Sequence, residues 1–564
     1  MNLPVPDNQT LADVLTETAQ LLELVGENPF KIKAYRQAAD ALEAAPMPVA
    51  EVLVAGTGAD VPGIGASIRS MLLEYIRTGS LTRLEELKGE VPPGILDLLQ
   101  LRGLGPKKIQ QLWREHQITS VSRLLEACQN GTLAQIKGFG NKTVQALETS
   151  IQDWLKHQAH YRIDVLTLVC EQLEEALASY CSVYRMGAVA LAENIGTSVE
   201  VLITRPLNAD VCARLQLPLE ITMESEAEIS GYWLLNSRNK VKTSLYYVSE
   251  DKAVSAQLSS ILPPAYADKW SDVLQEHWAT PSDFYARLGL PPVPTELWGW
   301  PDAPELCTAL HQKQAVLVGV SDIQGVVHAH STYSDGVHTL EEMAIAARDA
   351  GFSYLLSTDH SRTAAYAGGL SIQRVREQWQ EIDRLNDALA PFRILKGIES
   401  DILPDGSLDY PSDVLAGFDA VVASIHSGFA MTEAQATERM IRAIRNPYTH
   451  IVGHVTGRLL LKRSGYPIDV LRVLEACAET GTAIEINANP YRLDLDWHYV
   501  RTAVELGIQL VIAPDAHSIP DYGYIRWGVQ AGRKGLLTVN HTLNARPVED
   551  FLAFCRAKTA SALP

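Results

Sequence analysis

The sequence predicts a multidomain protein, helical over its first third and ending in a distorted (β/α)7 barrel. Two patterns carry that prediction. After residue 318, seven short apolar strands recur, most of them separated by helix-like stretches, which is the rhythm of an α/β barrel. Before residue 150, three glycine turns each lead into a helix, as in a small helical domain that grips an anion.

The strands read VVHAH (326–330), LLSTDH (355–360), ILKGIE (394–399), VVASIH (421–426), HIVGH (450–454), AIEIN (483–487) and LVIAPDAH (510–517). Segments such as LEEMAIAARDAG and DVLRVLEACAETG supply the intervening helices. In such barrels the carboxyl ends of the strands meet on one face, which holds the chemistry. Each strand runs toward a His, Asp, Glu or Asn, and six of the seven deliver residues able to bind metal. A lone histidine is ordinarily a satisfied core or surface residue. Imidazoles and carboxylates at successive strand ends instead predict one polynuclear metal site and a metal-dependent hydrolase. His328 and His330 are two apart in a strand and face one way, as do Asp515 and His517. Asp335 follows in the loop STYSDG, at the mouth. Imidazole with carboxylate suits Mn, Zn or Fe. Asn487 ends the sixth strand and reads as a support for ligands rather than a ligand. His338, His450, His498 and His541 lack the matching context.

The three turns share the pattern apolar–x–Gly–apolar–Gly: VPGIGASIRSML (61–72), LRGLGPKKIQQLW (101–113) and IKGFGNKTVQAL (136–147). Their glycines are Gly63 and Gly65, Gly103 and Gly105, and Gly138 and Gly140. Glycine permits positive φ and close approach of backbone N–H groups, and the following helix adds its positive end. Lys107, Lys108 and Lys142 follow the second glycine in two of the three. One such turn is ordinary; three in similar context predict contacts to a DNA backbone, which position nucleic acid without reading its sequence.

Composition sets the frame. Of 564 residues, 46% are apolar and 20% charged, so the chain is globular. It shows no run of 18 apolar residues and no basic leader before an apolar core, which predicts neither spanning nor secretion. Seven scattered cysteines, none in a CxxC pair, predict reduced thiols in a cytoplasm. The net charge of −19 argues against a protein coated for nucleic acid, yet residues 101–145 carry seven Lys/Arg against Glu115 and Glu126. A local basic surface therefore sits on an acidic protein.

Together with ENPFKIKAYRQAADALEAAP (27–46), the three turns and the C-terminal strands make the chain resemble the bacterial family-X DNA polymerases, in order and over nearly its whole length. The resemblance implies a helix-hairpin-helix, lyase-like domain at 1–88 and a helix-hairpin-helix, fingers-like region at 89–160. It further implies an α+β nucleotidyltransferase-like palm with thumb at 161–300, a linker at 301–318 and a PHP (polymerase and histidinol phosphatase) domain at 319–564. In the PHP segment it implies nine ligands for three divalent metals, Mn or Zn with Fe as a further option. His328, His330, Glu399 and Asp515 would hold the first. Glu399 would bridge to a second with His426 and His454, while Asp335, His360 and His517 would hold a third. Arg458 and Arg492 would grip substrate phosphate, or instead form structural ion pairs with Asp494 or Asp496.

The palm departs from the family pattern. MGAVALAENIGTSVEVLI (186–203) keeps Gly187 but has Ala188 for the phosphate-binding serine, and Ala190 and Leu191 for the two arginines. Ser198 and Glu200 stand where the first two catalytic aspartates would be, and Ser244 where the third would be. Two-metal phosphoryl transfer needs those carboxylates, so polymerase activity is expected to be lost. Met71 stands in place of the lyase lysine, leaving Lys31 and Lys33 as weak substitutes. The expected function is a DNA-binding, Mn-dependent 3′–5′ exonuclease or 3′-end processing enzyme in DNA repair. The alternatives are an active family-X polymerase, a phosphatase on a small phosphoester, and a non-catalytic repair scaffold.

Overall fold

The computed structural model describes residues 8–43, 49–55, 64–92, 94–101, 103–157, 160–235 and 239–562. Two compact units divide the chain: Met1–Ala159 with Leu234–Lys240, and His160–Trp233 with Val241–Pro564. Among the described residues, no helix is long and apolar enough to cross a membrane.

The first unit is helical. Asn8–Val25 packs on Pro29–Glu43, and Leu11, Leu15 and Leu22 share one core with Leu84, Leu87, Ile109, Leu112, Phe139 and Ile151. The boundary expected between residues 88 and 89 therefore does not divide this unit, because its apolar helix faces close on a single core. The glycine turns behave as their pattern requires. Gly103 and Gly138 take φ of 90° and 94°, and helices Pro106–His116 and Asn141–His157 start directly after Gly105 and Gly140. Leu104 and Phe139, the apolar residues between the glycines, are buried, which pins each turn while leaving both its glycines exposed. Gly65 likewise precedes helix Ala66–Thr78, with no side chain capping its end. Gly63 lies outside the described residues.

The second unit begins with a five-stranded sheet in the order Val183–Arg185, Val199–Ile203, Lys240–Tyr247, Glu228–Leu234, Leu219–Glu224. Helix Ile163–Leu177 packs on it through buried Leu166, Val169 and Leu173. An aromatic core of Trp270, Phe284, Tyr285 and Trp298 follows, and Ala303 and Cys307 of helix Ala303–Gln312 belong to it. The stretch expected to be a linker at 301–318 is thus largely a packed helix, whose buried face the polar residues around it obscure in sequence.

The barrel strands are β1 (Gly325–Ala329), β2 (Tyr354–Ser357), β3 (Arg393–Asp401), β4 (Ala420–Ser424), β5 (Ile451–Val452), β6 (Ala483–Asn487) and β7 (Leu510–Ala513). They pair in sequence order and all in parallel, and a bridge from Ala329 to Ala516 nearly closes the ring. Alternate residues divide the work. Val326, Leu355, Ile394, Val421 and Ile484 join the large core with the outer helices. Val327, Leu356, Leu395, Val422 and Val511 fill the interior, where Phe551, Leu552 and Cys555 of helix Val548–Ala562 pack against them. The interior is packed solid, so chemistry is confined to the mouth formed by the carboxyl strand ends.

Candidate metal centre

Most of the expected ligand positions lie just past the strands rather than in them. β2 stops at Ser357, β4 at Ser424, β5 at Val452 and β7 at Ala513, which puts His360, His426, His454, Asp515 and His517 on the first residues of the loops. At β1 the ladder shifts register between Val327 and Ala329, and His328 takes φ of 68°. His328 and His330 thus face the cluster from an irregular strand end, not from a regular pleat.

Glu399 sits at the centre. Its Oε1 is 3.3 Å from His328 Nε2 and 3.1 Å from both His426 Nε2 and His454 Nε2. Its Oε2 is 3.0 Å from His360 Nδ1 and 3.7 Å from His330 Nε2. Asp515 Oδ1 lies 3.4 Å from His328 Nε2 and 3.2 Å from His330 Nε2. Asp335 reaches His360 Nε2 and His517 Nε2 at 3.5 Å each, and His330 Nδ1 at 3.7 Å. Three overlapping sets are close enough to share an ion: His328, His330 and Asp515; His360, Glu399 and His426; and His330, Asp335, His360 and His517. His330 and His360 each belong to two sets, so the expected three-way partition is drawn less sharply than the sequence reading had it. Among the described residues, no such set occurs elsewhere.

The imidazoles are oriented from behind. His328 Nδ1 meets Glu485 Oε2 at 2.6 Å, His426 Nδ1 meets Asp401 Oδ1 at 2.6 Å, and His517 Nδ1 meets the Asp515 carbonyl at 3.0 Å. Each contact leaves Nε2 turned into the cluster, the usual arrangement for a ligating histidine. His328 Nε2, His330 Nδ1 and His360 Nδ1 are buried without a hydrogen-bond partner. Such an orphan costs about 1–3 kcal/mol, which a bound cation removes. Oxygen and imidazole donors, orphaned ring nitrogens and carboxylates behind them fit divalent metal.

Electrostatics agree with that fit. Burial opposes charge on His360, but Glu399 and Asp335 outweigh it and push its pKa up to about 10. His426 and His517 likewise rise to about 9 against burial, through Glu399 with Asp401 and through Asp335 with Asp515. His330 falls to about 4 through burial, with His517 and His360 adding to it. Burial works to raise Glu399 and Asp515, and the surrounding imidazoles nonetheless hold both well below the ordinary carboxylate range. The cluster is a negative well that attracts protons, and metal ions compete for the same place.

The sequence reading missed the residues that support the ligands. Asp359, one before His360, accepts hydrogen bonds from the backbone N–H and hydroxyl of both Ser331 and Ser334, fastening the loop that carries Asp335. Asp401 and Glu485 were legible only as strand spacing: each lies two residues from a noted position, Glu399 or Asn487, and hence on the same face. Asn487 donates to Asp515 Oδ2 at 3.0 Å and to Glu485 Oε1 at 2.9 Å.

The two arginines separate. Arg458 donates Nε to the Arg492 carbonyl at 2.8 Å, Nη2 to the Leu493 carbonyl and Nη1 to Asp496. Its guanidinium is committed on every nitrogen, so the structural ion pair with Asp496 replaces the expected phosphate grip. Arg492 instead lies beside the cluster, with Nε 3.5 Å from Asp515 Oδ2.

A barrel mouth lined by histidine and carboxylate, in a chain that begins with helix-hairpin-helix turns, defines a PHP-type protein with DNA-binding modules. Comparison with known families matches a helix-hairpin-helix domain at residues 6–81, a SAM-like helix-hairpin-helix tandem at 95–153 and a PHP domain at 327–489. The chain is 35% identical to the DNA polymerase/3′-5′ exonuclease PolX of Bacillus subtilis (strain 168), over 96% of its own length and 98% of that protein. It belongs to the PolX family. Part of the chain also resembles probable phosphatases, at 29% identity in Thermoanaerobacter sp. (strain X514) over 38% of this chain and 88% of that protein. A probable phosphatase of Caldanaerobacter subterraneus is 31% identical over 35% of this chain and 77% of that protein. The helix-hairpin-helix domains and the family together indicate DNA binding, and the PHP domain with its clustered donors indicates a metal-dependent hydrolase.

Proposed function

We propose that this member trims DNA 3′ ends as a manganese-dependent 3′–5′ exonuclease or end-processing enzyme of cytoplasmic DNA repair, and that its palm no longer polymerises. The observation that carries this reading is the contrast between its two candidate phosphoryl-transfer sites. At the barrel mouth, eight of the nine expected ligand residues fall into sets close enough to share an ion, and His454 Nε2 lies 3.1 Å from Glu399. In the palm, Ser198 Oγ donates to Glu200 Oε1 at 2.9 Å, and Glu200 lies in register with Ser244 on the parallel neighbour strand. The three positions that would carry catalytic aspartates adjoin, but only one holds a carboxylate, too little charge for a metal pair and a triphosphate.

His328, His330, Asp335, His360, Glu399, His426, His454, Asp515 and His517 would hold two to three divalent ions, with Glu399 shared. Bound there, the ions supply Lewis acidity at a phosphate and a nucleophilic water at neutral pH. The chain contributes the rest. Glu485 and Asp401 fix which nitrogen of His328 and His426 faces the mouth, and Arg492 offers a guanidinium to a phosphodiester beside Asp515. In the helical unit, the helix starts after Gly65, Gly105 and Gly140, with Lys107, Lys108 and Lys142, would hold the DNA backbone. Lys107 and Lys142 are exposed, and Lys108 spends part of its reach on the Gly103 carbonyl at 3.3 Å.

The probable phosphatases that match part of the chain favour one second reading, hydrolysis of a small phosphoester. An assay with a 5′-labelled primer–template and Mn²⁺, with and without dNTPs, separates the two. Trimming that disappears in His328→Ala and Glu399→Ala, while DNA binding persists, is expected. Fast phosphate release from small monoesters beside an intact primer would establish the phosphatase. Primer extension that survives both substitutions would restore the polymerase.

A further inference from the structure

Tyr366 stands out at the barrel mouth. It is 71% exposed, on the loop that follows His360, and its ring centroid lies 6.1 Å from that imidazole. The loop beneath it is built rigidly. Thr363 donates its hydroxyl to Asp401 at 2.7 Å and its N–H to Asp409 at 2.6 Å, while Arg362 also binds Asp409. Leu370 returns to the His360 carbonyl at 2.8 Å. A side chain at Gly369 would place its Cβ 1.9 Å from the Ser361 carbonyl, so only glycine closes the turn this tightly. Ala364 and Ala367 are buried on either side, which points the tyrosine outward from an anchored base.

Neither the core nor a hydrogen bond accounts for that placement. Among the described residues, Tyr366 has no hydrogen-bond partner, whereas Tyr410 and Tyr466 are buried and donate to the Leu370 and Val455 carbonyls. Burial does most to raise the pKa of its phenol, and the charges of Asp401, Glu399, Asp335 and Arg492 act on it as well, so the ring lies at the same mouth as the cluster and Arg492. An exposed aromatic face held still beside a phosphate-cleaving site suits a flat ring linked to a phosphate through one sugar.

We propose that Tyr366 is the stacking platform for the base of the 3′-terminal nucleotide, seating it while its phosphodiester lies between Arg492 and the cluster. The proposal rests on the DNA-trimming reading for its substrate. Stacking tolerates every base, since each has a π face, and truncating such a platform weakens binding by about tenfold per base.

The test uses the full chain with a single-stranded oligonucleotide ending in 2-aminopurine, with chelator present so that nothing is cleaved. The wild type and Tyr366→Trp should quench the probe, and Tyr366→Ala should not. In Mn²⁺, the wild type should favour a base-bearing 3′ end over an abasic one, read as the ratio of KM values. That preference should collapse in Tyr366→Ala and persist in Tyr366→Trp. Metal content equal to wild type in both variants checks that His360 is undisturbed. Equal quenching and an equal KM ratio in wild type and Tyr366→Ala overturn the platform, even where trimming itself is intact. A wild type that trims no DNA but loses quenching in Tyr366→Ala supports the platform and defeats the trimming reading alone.

Discussion

His328 shows how a single contact orients an imidazole. Its Nδ1 is held by Glu485 at 2.6 Å, which leaves Nε2 for the cluster. Glu485 also accepts the backbone N–H of His454 at 3.1 Å, so one carboxylate positions two of the nine residues proposed to hold metal. Glu485→Gln keeps the shape but removes the charge that raises His328 basicity. Metal affinity should fall about 10–100-fold, as for other partners behind a ligand. Competition with a chelator, followed by elemental analysis, reads this directly; equal metal retention would make Glu485 a packing residue only. Removal of a ligand itself, as in Asp515→Asn, should lower occupancy further, because a neutral amide replaces an anionic donor.

Strands and helices place these residues, and the terminal helix clips the barrel shut. His450 accepts the Val421 N–H at Nδ1, 3.0 Å away, and its Nε2 lies 3.0 Å from Thr559 of the last helix. Burial, with Lys558 adding, holds its pKa down at about 4, below its ordinary 6.5. The folded state therefore needs the neutral ring. That stability is present in full above pH 6.5 and is lost as pH falls toward 4, about 3 kcal/mol in all. His450→Gln should melt earlier than wild type at pH 7 but lose less between pH 7 and 4.5, with both proteins in the same metal state. Parallel loss in the two proteins would show that other groups set the acid limit. A second fastening joins the sheet region to the barrel: Lys534, fully buried, binds Glu193 at 2.7 Å and the Leu191 carbonyl at 2.6 Å. Asn194 donates to Asp496 at 3.2 Å, so the palm-like segment touches the loop that carries Arg492.

On the scale of the whole chain, charge is distributed against its average. Net charge is −19, yet the helix starts after Gly105 and Gly140 carry exposed lysines. Replacing Lys107, Lys108, Lys137 and Lys142 with Ala should weaken DNA binding and flatten its salt dependence, each lost phosphate contact lowering the slope by about 0.7–0.9. Hydrolysis of a small chromogenic phosphodiester should be untouched, because that substrate has no backbone for the turns to hold. An unaltered salt slope would reduce these turns to packing elements.

The sequence by itself determined the barrel, because short apolar strands with helices between them leave a local record in residue order. The glycine turns were equally legible, since positive φ at Gly103 and Gly138 restricts residue choice. Only the tertiary structure decided the rest. It paired Arg458 with Asp496, put Arg492 beside Asp515, shared His330 and His360 between ligand sets and left Tyr366 in solvent. It also turned the expected 301–318 linker into a packed helix. These are contacts between residues tens to hundreds of positions apart, and which donor meets which acceptor depends on chain closure, which no local periodicity encodes.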